Sequence, residues 1–544
     1  MKKSVRIILL LAGVLAAAGI YYYVTLPAVN IHSEGFWVFA MSLIILAIAA
    51  RIAYNFYRRY KDFGTRNLQF DFRSDKPAMA LGILFAAVLV IFIFGSVLSS
   101  PVVNAGKYQR LLAIEEREFT EDIKEVDYHT IPLLDKDSAA LLGDRKMGSM
   151  VDMVSQFEVS TDYTQINYNG TPVRVTPLVY ASPIKWFTNQ KEGIPAYILI
   201  DMATQDTECV KLTDKIKYSK SEYFNRNLYR HLRFRYPTYI FDDQIFFEID
   251  DNGVPFWVCP VKKFNIGLFG GQTVGRVVLC NAVTGECIDY AVEEVPQWID
   301  KVYSAELLMR LYDYAGIYVH GFWNSRLGQK DCLRSTNGYN YIALEDDVWV
   351  YTGVTSVNGD QSNVGFVLMN QRTMETRYYK IEGAIEDSAM SSAEGQVQNL
   401  GYDATFPLLL NIADEPTYFM ALKDDAGLVK KYAMVNVQKY QWVAIGDTIQ
   451  ECEKNYVQLL NTNGIVSQSV LELKTAKGVI ENLTQVVLGG NTHFYICLKN
   501  DENYYDVDLS DPELIEAIRY KEGDSITLQY EEGYGIHSVK KIGK

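Results

Sequence analysis

The sequence predicts an α+β chain in three parts: three transmembrane helices, a series of tandem helix–three-strand units, and a small C-terminal β-barrel. Three observations carry that prediction. The first hundred residues hold three long apolar runs. Between residues 197 and 441 the chain four times writes an apolar run, then Asp or Asn, then a turn. Beyond residue 466 the pattern shifts to short alternating runs. At 544 residues the chain exceeds one ordinary domain, and an apolar fraction of 49% suffices for several buried cores.

The N-terminal runs come first. Ile7–Leu26 is uncharged and follows Lys2, Lys3 and Arg6. Phe36–Ala50 is a second such run, continued past Arg51 by Ile52, Ala53 and Tyr54, and Pro77–Gly106 carries no charge at all. Each is long enough to cross about 30 Å of hydrocarbon, with Arg51 snorkelling. Tyr21–Tyr23, Trp37, Tyr54, Tyr57 and Tyr60 stand near the ends, where aromatic rings favour the interface. A cleaved signal peptide is the alternative for the first run, given its basic start and Ala16–Ala18. The loop 27–35 lacks Lys and Arg, whereas Tyr57–Lys76 holds Arg58, Arg59, Lys61, Arg66, Arg73 and Lys76. The positive-inside rule then places the N-terminus and the second loop in the cytoplasm and everything after Ser99 outside it.

Charge excludes one large class of partner. Residues 1–99 hold ten Lys/Arg and four Asp/Glu, which leaves 42 basic and 62 acidic residues, a net −20, for the rest of the chain. A body so acidic is a poor match for nucleic-acid phosphates. The seven cysteines, at 209, 259, 280, 287, 332, 452 and 497, include no CxxC pair. One or two disulfides, or buried thiols acting as small core residues, are both open readings.

The repeat reads Tyr197-Ile-Leu-Ile-Asp201-Met-Ala-Thr204, Val277-Val-Leu-Cys-Asn281-Ala-Val-Thr284-Gly-Glu286, Phe366-Val-Leu-Met-Asn370-Gln-Arg-Thr373-Met-Glu375 and Tyr432-Ala-Met-Val-Asn436-Val-Gln-Lys439. Each run is β-rich and ends on a turn former, so it reads as a strand entering a hairpin. Upstream, Asn169-Gly170-Thr-Pro172, Asn252-Gly253-Val-Pro255 and Asp414-Glu415-Pro416 mark an earlier turn, where the third copy has only Glu345-Asp-Asp347. Helical spacing precedes each copy, at Ser138–Val154, Ser219–Arg233, Ala305–Tyr314 and Ala384–Leu400. A single unit is too small to stand alone, so neighbours are expected to pack together.

A helix, two strands about a Gly-Pro turn, and a third strand ending in Asn281-Ala-Val-Thr284-Gly285-Glu286 resembles the PepSY-type domain of bacterial envelope proteins. Asp201-Met-Ala-Thr204 keeps half of that ending, Asn370…Thr373…Glu375 lacks the Gly, and the fourth copy lacks Thr, Gly and Glu. The resemblance covers roughly residues 138–445. It implies an extracytoplasmic module that binds or restrains a partner protein.

After a helix near Thr448–Leu460, strand-like runs at Lys477–Glu481, Thr492–Leu498, Tyr504–Asp508, Ser525–Tyr530 and Ile536–Ile542 follow. Asp511-Pro512-Glu513 opens a short helix to Ile518 between the third and fourth of them. That order resembles an OB-type barrel, here expected to pack or assemble rather than to bind nucleic acid. The expected organisation is therefore a membrane domain over 1–106 with spans at about 7–26, 36–57 and 78–99, a linker over 107–137, repeat units at 138–215, 216–295, 296–382 and 383–465, and a barrel over 466–544.

No catalytic, cofactor-binding or metal-ligating residue stands out. The six histidines, at 32, 129, 231, 320, 493 and 537, are scattered without HExxH spacing. Asp250-Asp251-Asn252-Gly253 and Asp424-Asp425-Ala-Gly427 lack the later bidentate Glu of a calcium loop and read as turns. Cys332 and His320 lie near each other in sequence without a third group. The basic-aromatic stretch Tyr229–Tyr236 is a candidate grip for an acidic partner or glycan, against a half-core, half-solvated face. The expected function is a non-enzymatic, membrane-anchored binding or scaffold protein of the cell envelope that acts on a protein partner. The alternatives are an envelope hydrolase or processing factor, and an accessory subunit of a transporter.

Overall fold

In the computed structural model, described over residues 3–63, 75–123, 134–357, 362–464, 474–488, 491–499, 501, 503–511, 514–531 and 536–543, the chain divides into two compact units, Met1–Tyr456 and Val457–Lys544. The first opens with helices α1 (Lys3–Thr25), α2 (Glu34–Phe63), α3 (Lys76–Ser99) and α4 (Pro101–Tyr108). Two of them, α2 over Glu34–Arg58 and α3, are long and apolar enough to cross a membrane, and their outer faces are bare. Both are uninterrupted because neither holds a Pro beyond its first turn. Asp75 caps α3 by accepting from the Ala78 N–H, and Arg51 bonds the same carboxylate at 3.0 Å rather than reaching outward alone. Within the basic loop expected at 57–76, residues 64–74 lie outside the described residues.

The repeats are four sheets, each built on an antiparallel meander of four strands in sequence order, to which short strands add in the first, third and fourth. The first is β1 (Thr164–Tyr168), β2 (Thr171–Tyr180), β3 (Ile194–Asp201) and β4 (Thr207–Ile216). The second is β5 (Phe246–Ile249), β6 (Pro255–Ile266), β7 (Gly270–Asn281) and β8 (Cys287–Ala291). The third is β9 (Asn340–Leu344), β10 (Asp347–Ser356), β11 (Gly365–Asn370) and β12 (Thr376–Tyr379), and the fourth is β13 (Leu408–Ile412), β14 (Glu415–Lys423), β15 (Val429–Asn436) and β16 (Val443–Gly446). The unit therefore has four strands where the sequence predicts three. The fourth strand escapes a sequence reading because it is an outer strand with little apolar pattern: β4 alternates half-buried and exposed residues until Ile216.

Two turns recur in every unit. In three of the four, the first hairpin is a two-residue turn with both residues at positive φ: Asn169 and Gly170 (52°, 78°), Glu345 and Asp346 (55°, 66°), Ala413 and Asp414 (54°, 61°). In the second unit Asp250 holds the turn by accepting from the Asn252 and Val254 N–H groups, and Asp424 does the same for Ala426 and Leu428 in a later hairpin. Neither is a calcium loop. The Asp/Asn marker ends the third strand, and its side chain closes the next turn. Asp201 accepts from Ala203 and Thr204, Asn281 from Val283 and Thr284, Asn370 from Arg372 and Thr373, and Asn436 from Gln438 and Lys439, all at 2.8–3.1 Å. The Thr three residues on then accepts from the chain two residues further, at Asp206, Glu286 and Glu375.

The sheets stack face to face in chain order. Trp257, Cys259, Val278 and Cys280 of the second sheet pack on the first, while Val258, Val277 and Leu279, which point the other way, pack on Val350, Val354, Val367 and Met369 of the third. The opposite face of the third, with Trp349, Tyr351, Phe366 and Leu368, packs on Tyr418, Met420 and Val435 of the fourth. Sheets packed face to face in succession and meeting at one cavity are stacked in the manner of propeller blades. Helix α5 (Lys136–Gly148) ties the first blade to the fourth through Asp135–Lys423 (2.5 Å) and Ser138 to the Gly427 carbonyl. The helices before the other blades, α6 (Leu228–Arg235), α7 (Ala305–Ile317) and α8 (Glu386–Gln396), are near their expected places, although α6 is shorter and begins later, after the Asn227 cap.

The stretch expected as a linker, 107–137, is partly structured. Strand Glu115–Arg117 pairs in parallel with β12, and Phe119 and Ile123 are buried in the core between the third and fourth blades. These two apolar side chains hold it there. His129 of this stretch lies outside the described residues.

The second unit is a closed five-stranded barrel, as expected. It begins within α9 (Ile449–Thr462) and comprises β17 (Lys474–Leu488), β18 (Asn491–Leu498), β19 (Tyr504–Asp508), β20 (Ser525–Glu531) and β21 (Ile536–Gly543). β17 pairs with both β18 and β20, and closure comes from β19 and β21 running parallel. A 3-10 turn, Ile515–Arg519, stands between β19 and β20, while Pro512 and Glu513 of the expected helix start lie outside the described residues. Ile496, Tyr505, Val507, Ile526 and Leu528 fill the barrel.

Candidate functional site

Where the four blades meet, the structure leaves a cavity of about 510 Å³. Residues of all four blades line it: Arg174 from the first, Phe246 from the second, Tyr339 and Tyr341 from the third, and Phe406 from the fourth, with Lys301 from the connection into α7. Lys301 is held there because its neighbours Ile299, Val302 and Tyr303 are core residues and the Glu248 carboxylate accepts the N–H groups of Asp300 and Lys301, both at 3.0 Å. Asp300 in turn accepts from the Asn167 N–H at 2.6 Å, locking this connection to the first blade.

The two cations are the unusual feature. Arg174 and Lys301 are each 5% exposed, and among the described residues neither forms an ion pair. Arg174 bonds only neutral acceptors, the Leu134 carbonyl at 3.2 Å and the Gln165 side chain at 3.4 Å. The Lys301 ammonium lies 4.1 Å from the centre of the Tyr341 ring and 5.8 Å from that of Phe246. Carboxylates also line the cavity, each with a nearer partner: Asp135 with Lys423, Asp162 with Lys220, Asp243 with Lys262, and Glu306 with the Tyr339 hydroxyl and Gln244.

The electrostatics follow from burial. Desolvation, reinforced by Arg174, pushes Lys301 down to about 7 against the opposing pull of Glu248 and Asp300. Burial pushes Glu248 up to about 7, and burial with the Glu248 charge drives Asp300 well above the usual carboxylate range. Burial also lowers Arg174 from its ordinary value, and it raises the Tyr341 phenol. Both cations are desolvated beside aromatic walls, and the carboxylates that act on them, Glu248, Asp300 and Glu306 on Lys301 and Asp135 and Asp137 on Arg174, do so from beyond ion-pair distance.

No protein-family model matches the chain, and no curated protein matches it. Among solved structures, a variant of the Synechocystis apocarotenoid oxygenase (ACO) aligns at 9% identity, covering 73% of this chain and 67% of its own, with a TM-score of 0.14. The Bombyx mori GH32 β-fructofuranosidase BmSUC1 aligns at 10% identity over 73% and 69%, with a TM-score of 0.17. Likeness this slight carries no argument about fold or activity.

The residues singled out by sequence have other places. The basic-aromatic stretch at Tyr229–Tyr236 docks the end of α1: Arg233 donates to the Leu26 carbonyl at 2.9 Å, and Arg230 covers the Tyr23 ring at 4.7 Å. His320 bonds Asp331 at 2.9 Å, and Cys332 is buried with its thiol toward the Ile317 carbonyl, so the pair is not a nucleophile and its base. All seven cysteines are free thiols. Arg174 and Lys301 were missed because they are 127 positions apart and belong to no motif. One signal exists: Asp300-Lys301 interrupts the apolar run Trp298-Ile299 to Val302-Tyr303, where a solvated pair has no reason to be.

Proposed function

We propose that this chain is a membrane-anchored, non-enzymatic binding protein whose blades hold a small carboxylate- or phosphate-bearing ligand with an apolar body in the central cavity. The observation that carries it is the pair of buried cations, Arg174 and Lys301, facing one cavity with no direct ion pair to either among the described residues. The anionic head would sit between them, and the body would lie against Tyr341, Phe246 and Phe406. Glu306, fixed by Tyr339 and Gln244, would select for a ligand with a hydrogen-bond donor.

The anchor is the apolar helix pair α2 and α3, and the blades lie on the extracytoplasmic side. The support for that side is the Lys/Arg bias of the 57–76 loop together with the docking of both the 26–30 loop and the end of α3 on the second blade. A protein partner in the envelope is then reached through a bound ligand or through the blade rims.

The test is thermal denaturation of the full chain in detergent with benzoate, inorganic phosphate or a neutral analogue such as benzamide added. A saturable upward shift with either anion, absent with benzamide and abolished in both Arg174→Gln and Lys301→Gln, is the expected result. Shifts that persist in the two variants, or none with either anion, would overturn the reading.

A further inference from the structure

A second cluster lies on the second blade, away from the cavity. Cys280 is the penultimate residue of β7 and Cys287 begins β8, directly opposite each other because the Asn281 turn folds the chain back between them. His231, on α6, reaches the same spot: its Nε2 lies 2.7 Å from the Gly285 carbonyl, which also receives the Cys287 thiol at 3.5 Å. One ring nitrogen of His231 and the two sulfurs all lie within 4.8 Å of one another. Two thiolates and an imidazole around Zn²⁺, with bonds of about 2.3 and 2.0 Å, sit about 4 Å from each other, so small side-chain shifts complete the geometry.

We propose that Cys280, Cys287 and His231 form a zinc site that clamps α6 to the second blade. The ligand set suits the ion. Two thiolates and one imidazole are the soft and borderline donors that zinc selects over magnesium or calcium. The cysteine side is dry, with Cys280 fully buried, while the ring of His231 borders a surface pocket of about 490 Å³ through which an ion can enter. Cys259 stands on the same face of the blade, since its neighbour Trp257 is paired with Cys280, and it or a water takes the fourth position. On binding, two thiols release their protons to solvent and no electron is transferred. The clamp has a mechanical consequence: α6 is the helix that holds the end of α1 through Arg230 and Arg233, so the ion would stiffen the joint between the blades and the membrane segment.

The test uses the full chain in detergent, reduced and stripped of metal, titrated with Co²⁺ and then with Zn²⁺. The expected result is one Co²⁺ per chain with thiolate charge-transfer absorption, displaced stoichiometrically by Zn²⁺. Cys287→Ser and His231→Ala should each weaken binding by more than the about 10–100-fold that an outer-sphere partner costs, while Cys209→Ser and Cys497→Ser leave it unchanged. His231 is half-exposed, so its variant remains a fair test if Cys287→Ser fails to fold. Absence of saturable Co²⁺ and Zn²⁺ binding by the reduced chain, or binding that survives both substitutions, would overturn the proposal. Binding of Cu⁺ alone would overturn the assignment to zinc.

Discussion

The Lys301 ammonium stands 4.1 Å from the ring centre of Tyr341, and among the described residues this contact takes the place of the direct ion pair that a buried lysine ordinarily has. The pH dependence of stability follows. An unfolded Lys301 titrates near 10.5 and the folded one at about 7, so between those values the unfolded chain holds the extra proton and stability rises with pH. Glu248 acts oppositely: from 4.5 to about 7 the folded chain holds the extra proton, and stability falls as pH rises. Thermal midpoints in detergent should fall toward neutrality and rise above it. Lys301→Met should flatten the alkaline limb and Glu248→Gln the acid one, and an alkaline limb unchanged in Lys301→Met would refute the burial argument.

The same proton governs the ligand. An anion in the cavity favours charged Lys301, so its affinity should fall as pH rises above about 7, by at most about tenfold per unit for one linked proton. Calorimetric titration of benzoate at several pH values reads this directly. In Lys301→Arg, whose charge persists, the slope should vanish while binding remains.

The four Asp/Asn markers look alike in sequence but differ in what surrounds them. Among the described residues the Asn281 side chain makes only its turn bonds, whereas the Asn370 amide also donates to Asp347 at 2.8 Å, and Asp347 is paired with Arg372. Asn281→Asp should therefore be nearly neutral, as Asp201 shows that a carboxylate serves in this turn. Asn370→Asp should cost about 1–3 kcal/mol, because it removes a buried donor and sets two carboxylates together. Urea denaturation of the two variants under one condition decides it.

That contrast shows how far the sequence could be read. The marker turns were legible because Asp/Asn followed three residues later by Thr has a local, fixed-offset hydrogen-bonding role. The barrel was legible because its strands alternate inward and outward residues. The blades themselves were not, since β4 and β8 are outer strands whose burial depends on neighbours far along the chain. The cavity was less legible still. Arg174, Lys301 and Tyr341 come from separate blades, and only stacking of the blades brings them to one centre. Cys280 and Cys287 lack metal-site spacing in one dimension and acquire it through a hairpin.

Gly143 lies within α5, where alanine would normally be worth about 1 kcal/mol more. Here a Cβ would come to 2.1 Å from the Tyr163 hydroxyl, which is buried and has no hydrogen-bond partner among the described residues. Gly143→Ala should destabilise the first blade, and Tyr163→Phe in the same chain should restore the midpoint and raise it above that of either single variant. Failure of the second substitution to rescue the first would show that the clash lies elsewhere.

The side of the membrane is tested by thiol labelling, and the native cysteines are poor reporters of it. Cys332 is 3% exposed, so protection there would report burial rather than compartment. Engineered sites avoid the ambiguity. Asp251 is exposed at the tip of the β5–β6 turn, and Tyr57, 67% exposed, lies near the far end of α2. Because the 26–30 loop and the Ser99 hydroxyl both bond the second blade and its approach, the proposed anchor puts the ends of α1 and α3 in the compartment of the blades and the distal end of α2 in the other. In intact cells a membrane-impermeant maleimide should modify Asp251→Cys and should reach Tyr57→Cys only after permeabilisation. The reverse pattern would place the blades in the cytoplasm. The cavity chemistry would survive that result, but the ligand would then have to be an intracellular anion.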